Sequence, residues 1–308
     1  TGSGKSGGLN VLRGNLTACQ AVIIWAIDLK KGMELGPWPE CIDRLATTPE
    51  QAAALLRDAV AILQTRAEYL AERGRRTWEP SPEMPALVII IDEYAELTEQ
   101  SPDAMDYTDS IARLGRALAV TLVAATQRPT QKAMGQGAVR SQMDMRICFR
   151  VREPRDVDLV LGQGMLTTGW NAHKLNAPGK FLISAPEHDI PRRARAYLLT
   201  DEVVAYTAAR HAQIPRQLDE ISCAAIEASN GAEACTIPAD TEEVAHERPD
   251  ANAMLWAALS TAPAEGIPVG ELIAITGMSR RWVFYRLKQL AERGEAVQTV
   301  RGHWRAAL

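Results

Sequence analysis

Apolar residues along positions 1–216 fall into two patterns: short unbroken runs and longer stretches at helical spacing. The runs "AVIIWAID" (21–28), "ALVIIIDE" (86–93) and "AVTLVAATQ" (119–127) do not alternate with polar residues, so they predict strands buried on both faces. Between the first two, Thr48 predicts a helix cap with Pro49 at the first helical position. Ala52, Leu55, Leu56, Ala59, Ile62, Leu63, Tyr69 and Leu70 then recur on one helical face as far as Gly74. Helices are also predicted over 5–20, 105–117 and about 155–161, and "MRICFRV" (145–151) and "KFLIS" (180–184) read as further strands. Buried strands alternating with helices predict an α/β fold with a mostly parallel sheet covered on both faces.

The last sixty residues follow a different pattern. "NAMLWAALST", "PVGELIAITG" and "SRRWVFYRLKQLAERG" predict three helices, and "EAVQTVRGHWRAA" predicts a short hairpin. Gly277 ends the second helix and Ser279 caps the third, which is the order of a winged helix-turn-helix, and Trp256, Trp282 and Phe284 include core residues. The expected organisation is a motor-like α/β domain over 1–216, a linker over 217–249 with one short helix around 218–228, and the winged helix over 250–308.

Charge sharpens that division. The chain has 308 residues, is 46% hydrophobic and carries a net charge of -4, but the charge is uneven. Eight acids against Arg248 alone give 217–249 a charge of -7, while residues 1–216 carry +1 and residues 250–308 carry +2. An acidic connector thus masks a mildly basic module. The longest apolar run is far shorter than the roughly 20 residues that cross a bilayer. The cysteines (Cys19, Cys41, Cys148, Cys223, Cys235) form no C-x-x-C pair, which argues against a zinc site and for a reducing cytosol.

The candidate chemistry lies at the ends of the buried runs. "TGSGKSGG" matches the end of a phosphate-binding loop, in which glycines let backbone N–H groups converge on an anion at a helix N-terminus. Thr1, Gly2, Ser3, Gly4, Lys5, Ser6 and Gly7 are therefore candidate nucleotide-binding residues, with Lys5 reaching the β- and γ-phosphates of ATP. Ser6 and Asp92 are expected to hold Mg²⁺. Asp92 and Glu93 close the second run, at the carboxyl edge of a parallel sheet where ligands bind. Glu93 is placed to orient and deprotonate the attacking water, and the amide of Gln127, after the third run, to meet both that water and the γ-phosphate. Arg146 and Arg152 are the candidates for an arginine finger supplied by a neighbouring subunit. In the winged helix, Arg280, Arg281, Tyr285 and Arg286 are expected to read base edges, and Lys288, Arg301 and Arg305 to meet phosphates.

Taken together, "TGSGKSGGLN", "IDLKKGMEL", "ALVIIIDEYAEL", "AATQRPT" and the terminal winged helix resemble the FtsK/SpoIIIE family of DNA translocases, within it the actinobacterial conjugative transfer proteins of the TraB/TraSA kind. The resemblance implies a RecA-like P-loop ATPase, a hexamer that encircles double-stranded DNA, and anchoring on the cytoplasmic side of the cell membrane by sequence outside these residues. It matches Lys5 and Ser6 to Walker A, Asp92 and Glu93 to Walker B, and Gln127 to the sensor glutamine. The first Walker A glycine and its strand would then precede Thr1, and the 308 residues alone are expected to hydrolyse ATP poorly. Two other readings fit some of these residues: a sequence-specific DNA-binding regulator with a nucleotide-switch module, and a secretion-type ATPase.

Overall fold

The computed structural model describes residues 2–32, 35–127, 129, 138–234, 251–263, 265–276, 280–300 and 302–307. The chain divides into two compact units, Thr1–Ile237 and Pro238–Leu308.

The first unit is built on the predicted runs. Its opening elements are α1 (Lys5–Leu16), β1 (Val22–Ile27), β2 (Arg44–Ala46), α2 (Pro49–Glu72), β3 (Ala86–Ile91), α3 (Tyr94–Gln100), α4 (Pro102–Leu114) and β4 (Val120–Ala124). The four strands form a wholly parallel sheet in the order β2-β1-β3-β4. Successive side chains leave opposite faces of a strand. Ile23, Trp25, Ile27, Leu87, Ile89 and Ile91 accordingly join α2 in one core, while Ile24, Val88 and Ile90 pack on the other side with Leu16 of α1. The Thr48 cap forms, its hydroxyl accepting the Gln51 N–H at 3.3 Å, and the left-handed Gly74 (φ 62°) follows the end of α2.

The polypeptide continues through α5 (Ala138–Gln142), β5 (Arg146–Phe149), α6 (Asp156–Leu161), β6 (Lys180–Ser184), β7 (Arg192–Arg195), α7 (Asp201–Ala212) and α8 (Glu220–Ala234). Here the structure departs from expectation. The strands within 145–151 and 180–184 exist, but they do not extend the parallel sheet; with β7 they form a separate antiparallel sheet in the order β5-β6-β7. Only Cys148 and Leu182 of β5 and β6 are deeply buried, and β7 (RRAR) is exposed throughout. The short connection from Ser184 to Arg192 permits a hairpin, whereas a parallel return needs a crossover of about a dozen residues or more. The helix expected over 105–117 starts earlier, because Pro102 at its first turn initiates α4, and ends at Leu114 before the tight Gly115–Ala119 turn into β4.

Within the stretch expected to be a linker, the short helix expected around 218–228 forms as the longer α8 and is docked. α8 packs against α2, with Leu218 and Ala225 in the main core. The reason is a buried guanidinium. Arg66 of α2, 0% exposed, donates to Asp219 (2.8 Å), Ser222 (3.1 Å), and the carbonyls of Pro85 and Leu118 (2.9 and 3.0 Å), and stacks on Trp78. Burial pushes its pKa down, against the opposing pull of Asp219.

The second unit contains α9 (Ala251–Ser260), β8 (Ile267–Pro268), α10 (Val269–Thr276), α11 (Arg280–Glu292), β9 (Ala296–Val300) and β10 (His303–Ala306). The strands form an antiparallel sheet, β8-β10-β9, and Leu255, Leu259, Leu272, Val283 and Leu287 fill the core. Of the three aromatics among which core residues are expected, Trp256 and Phe284 are exposed. Gly277, Ser279 and the side chain of Trp282 lie outside the described residues.

Candidate functional site

The carboxyl edge of the parallel sheet gathers the residues that the sequence separates. Gly2 (φ 84°) and Gly4 (φ 100°) take left-handed conformations that suit glycine, and α1 starts immediately afterwards at Lys5. A side chain at Gly4 would also collide with the backbone of Gly179, 2.3 Å from its nitrogen; that nitrogen donates to Ser3 O at 3.0 Å. The loop is therefore held from outside as well as by its own helix.

Lys5, at the start of α1, crosses to the end of β3. Its Nζ donates to Asp92 O at 2.8 Å and lies 3.2 Å from Asp92 Oδ1, with side chains 13% and 2% exposed. A carboxylate this deeply buried needs compensation, and Lys5 supplies it on one oxygen. Asp92 Oδ2 is buried with no hydrogen-bond partner. An orphaned carboxylate oxygen on Asp92, with exposed Ser6 following its partner Lys5 in the chain, is a donor set that fits Mg²⁺ and its bound water.

Glu93 precedes α3 but makes no side-chain cap to it. Its carboxylate turns to the end of β4. Oε1 accepts the Thr126 hydroxyl at 2.5 Å, and the Gln127 N–H spans both oxygens at 3.1 and 3.0 Å. Gln127 thus meets Glu93 through its backbone, while its side chain is exposed and lines the cleft. Thr126 was not among the candidate residues; the available signal was a hydroxyl residue at a strand end directly before Gln127.

Lys5, Ser6, Thr126 and Gln127 line one wall of an open cleft of about 620 Å³, a size suited to a small ligand, and Asp92 and Glu93 are joined to that wall through Lys5, Thr126 and Gln127. The opposite wall comes from β5 and the segment after it, including Ile147, Phe149, Arg150, Arg152 and Arg155. Phe149 abuts α1: a Cβ on Gly8 would lie 2.6 Å from its ring. Arg152 is exposed in the cleft of its own chain, and Arg155 pairs with Glu153 at 2.7 Å. Arg146 is not brought to this wall; its guanidinium donates to Met143 O (3.0 Å) and Leu161 O (3.4 Å). Cys148, behind the wall, is 2% exposed, and burial pushes its thiol pKa up to about 12.

Of the remaining candidates, Thr1, Arg301 and the side chains of Arg280, Arg281 and Tyr285 lie outside the described residues. Lys288 is exposed, and Arg286 and Arg305 are half-buried. Val283 and Leu287 supply the buried face of α11. Among the described residues, no helix is long and apolar enough to cross a membrane.

Comparisons with known proteins place this geometry. No family model matches the chain. It is 29% identical over 226 residues to the DNA translocase FtsK of Oceanobacillus iheyensis, covering 66% of this chain and 28% of that protein. It is 26% identical over 293 residues to Protein Tra of Streptomyces lividans, covering 84% of this chain and 44% of that protein. The chain therefore spans less than half the length of either relative. Among solved structures, the pCW3 conjugation coupling protein TcpA with ATPγS aligns with a TM-score of 0.57 at 23% identity, covering 66% of this chain and 60% of that one. The cytoplasmic domain of the Thermomonospora curvata type VII secretion ATPase EccC aligns at 0.58 and 24%, covering 72% and 28%. At these identities the structural likeness carries the fold alone.

Proposed function

We propose that this chain, which is related to the FtsK/SpoIIIE-type DNA translocases, hydrolyses ATP in its first unit and uses the energy to move double-stranded DNA, in conjugative transfer or chromosome segregation. The observation that carries the reading is the convergence of Lys5, Asp92, Glu93 and Gln127, from three separate elements, on one sheet edge, where Lys5 bonds Asp92, Gln127 bonds Glu93, and Lys5 and Gln127 line one cleft. In this reading the glycine loop and the N-terminus of α1 bind the phosphates. Lys5, now paired with Asp92, turns to the β- and γ-oxygens, and Glu93 takes the proton of the attacking water. Ser6 and Asp92 hold Mg²⁺, which when bound neutralises charge on the phosphates. Arg152 stabilises the transition state from the same or a neighbouring subunit of a hexameric ring.

The second unit is read as a winged helix-turn-helix that recognises short DNA sequences, on the order of its elements: helix, short strand, two helices and a hairpin. Arg280, Arg281, Tyr285 and Arg286 read bases, and Lys288, Arg301 and Arg305 meet the backbone. The motor-like unit, the acidic connector and this module together suit a protein working on DNA at the cytoplasmic side of the membrane.

The test is ATP hydrolysis with and without long duplex DNA. Duplex should stimulate turnover, and Lys5→Ala and Glu93→Gln should each abolish it. Hydrolysis that ignores duplex would favour a nucleotide-switched regulator, and hydrolysis that survives Lys5→Ala would place the ATP site elsewhere.

A further inference from the structure

The hydrogen bonding of Glu93 carries an inference beyond the roles above, resting on the reading of this edge as an ATPase site. A glutamate preceding a helix can turn back to its free amides, but Glu93 makes no such bond to α3. Both of its oxygens are held by Thr126 and Gln127, just past the end of the neighbouring strand β4. The backbone fixes that neighbourhood: Ala125 N donates to Ile91 O at 2.8 Å, and Tyr94 N returns to Ala125 O at 2.8 Å. Thr126 and Glu93 are therefore locked side by side before either side chain is considered. On that frame the Thr126 hydroxyl reaches Oε1 at 2.5 Å, at the short end of charge-assisted O–H···O⁻ bonds. Threonine is stiff at χ1, so the donor is aimed with little freedom to lose.

We propose that Thr126 is a positioning residue for Glu93, setting the plane of the carboxylate that receives the water's proton and tying it to Gln127. Gln127 gives its N–H to the carboxylate while its side chain lines the cleft. A shift of the β4 end, where Gln127 meets the ligand, therefore carries the base with it. Base and sensor move as one body, and the Thr126 hydroxyl is the link that a substitution removes without touching either partner.

The experiment compares Thr126→Val, which keeps the shape and loses the hydroxyl, with Thr126→Ser, which keeps the donor. The first readout needs no nucleotide: hydrogen exchange at the Gln127 amide, with Glu93→Ala as the reference for a freed amide. Thr126→Val should speed exchange about tenfold, the equivalent of roughly one hydrogen bond, and Thr126→Ser should stay near wild type. Exchange in Thr126→Val equal to wild type would overturn the proposal. The second readout is steady-state ATP turnover. Thr126→Val should lower kcat by about tenfold or more with KM for ATP unchanged, and Thr126→Ser should recover it. An unchanged or raised kcat, or a rise in KM alone, would also overturn it. If the wild-type chain neither binds ATP nor turns it over, the ATPase reading fails, and amide exchange alone decides whether Thr126 orients Glu93.

Discussion

The two sheets of the first unit meet the same cleft but relate to water differently. In β1 and β3, five of six residues are buried, and the strands carry no charge. In β5, β6 and β7, few residues are deeply buried, and Arg146, Lys180, Arg192, Arg193 and Arg195 lie within the strands. The first sheet is sandwiched by helices and holds its functional groups at strand ends. The second is a covering wall that contributes side chains along its length, such as Ile147 and Phe149. A run of apolar residues tells a buried strand from a half-exposed one, and with it a scaffold from a lid-like wall.

Substitutions in the scaffold and in what anchors it should cost far more than those in the wall. The largest loss is expected for Arg66→Met. It leaves Asp219 buried without its cation and should cost about 3–5 kcal/mol by chemical denaturation. Were 217–234 a loose linker, the loss would be small. Ile89→Ala in β3 should cost about 2–5 kcal/mol, and Ile183→Ala in half-exposed β6 about 1 kcal/mol or less. Equal losses would erase the distinction between the sheets.

The meeting of wall and loop is tested by Gly4→Ala, which places a methyl against Gly179 and strains a left-handed position. It should weaken ATP binding about tenfold in a titration and lower stability by about 1–3 kcal/mol. The smallest effect is chemical. With its pKa pushed up to about 12 by burial, Cys148 stays a protonated thiol at neutral pH and should resist iodoacetamide under conditions that alkylate exposed Cys19. Rapid labelling of Cys148 would mean that β5 opens to solvent.

Much of the site was legible because its chemistry sits where local patterns end. Lys5 follows glycines and starts a helix, Asp92 and Glu93 close an apolar run, and Gln127 follows another. The parts that escaped are those without a local period. β7 is an exposed arginine-rich segment that no hydrophobic pattern marks as a strand. For α8 it is the docking that escaped: a short helix is expected there, in an acidic stretch whose composition argues for a connector, yet Leu218, Asp219, Ser222 and Ala225 dock it. Thr126 looks like any strand-end threonine until Glu93 is beside it.

The amino-acid order alone determined the buried strands, the capped helix between them and the chemical character of each strand end, since these follow from burial, backbone propensity and residue type within a short window. Only the tertiary structure decided which ends meet. Lys5 finds Asp92 across 87 positions, Glu93 finds Thr126 across 33, and the antiparallel wall closes over the glycine loop. Such contacts depend on strand order and register. Those are set by the packing of the whole unit, because a local sequence encodes which face must be buried but not which neighbour will bury it.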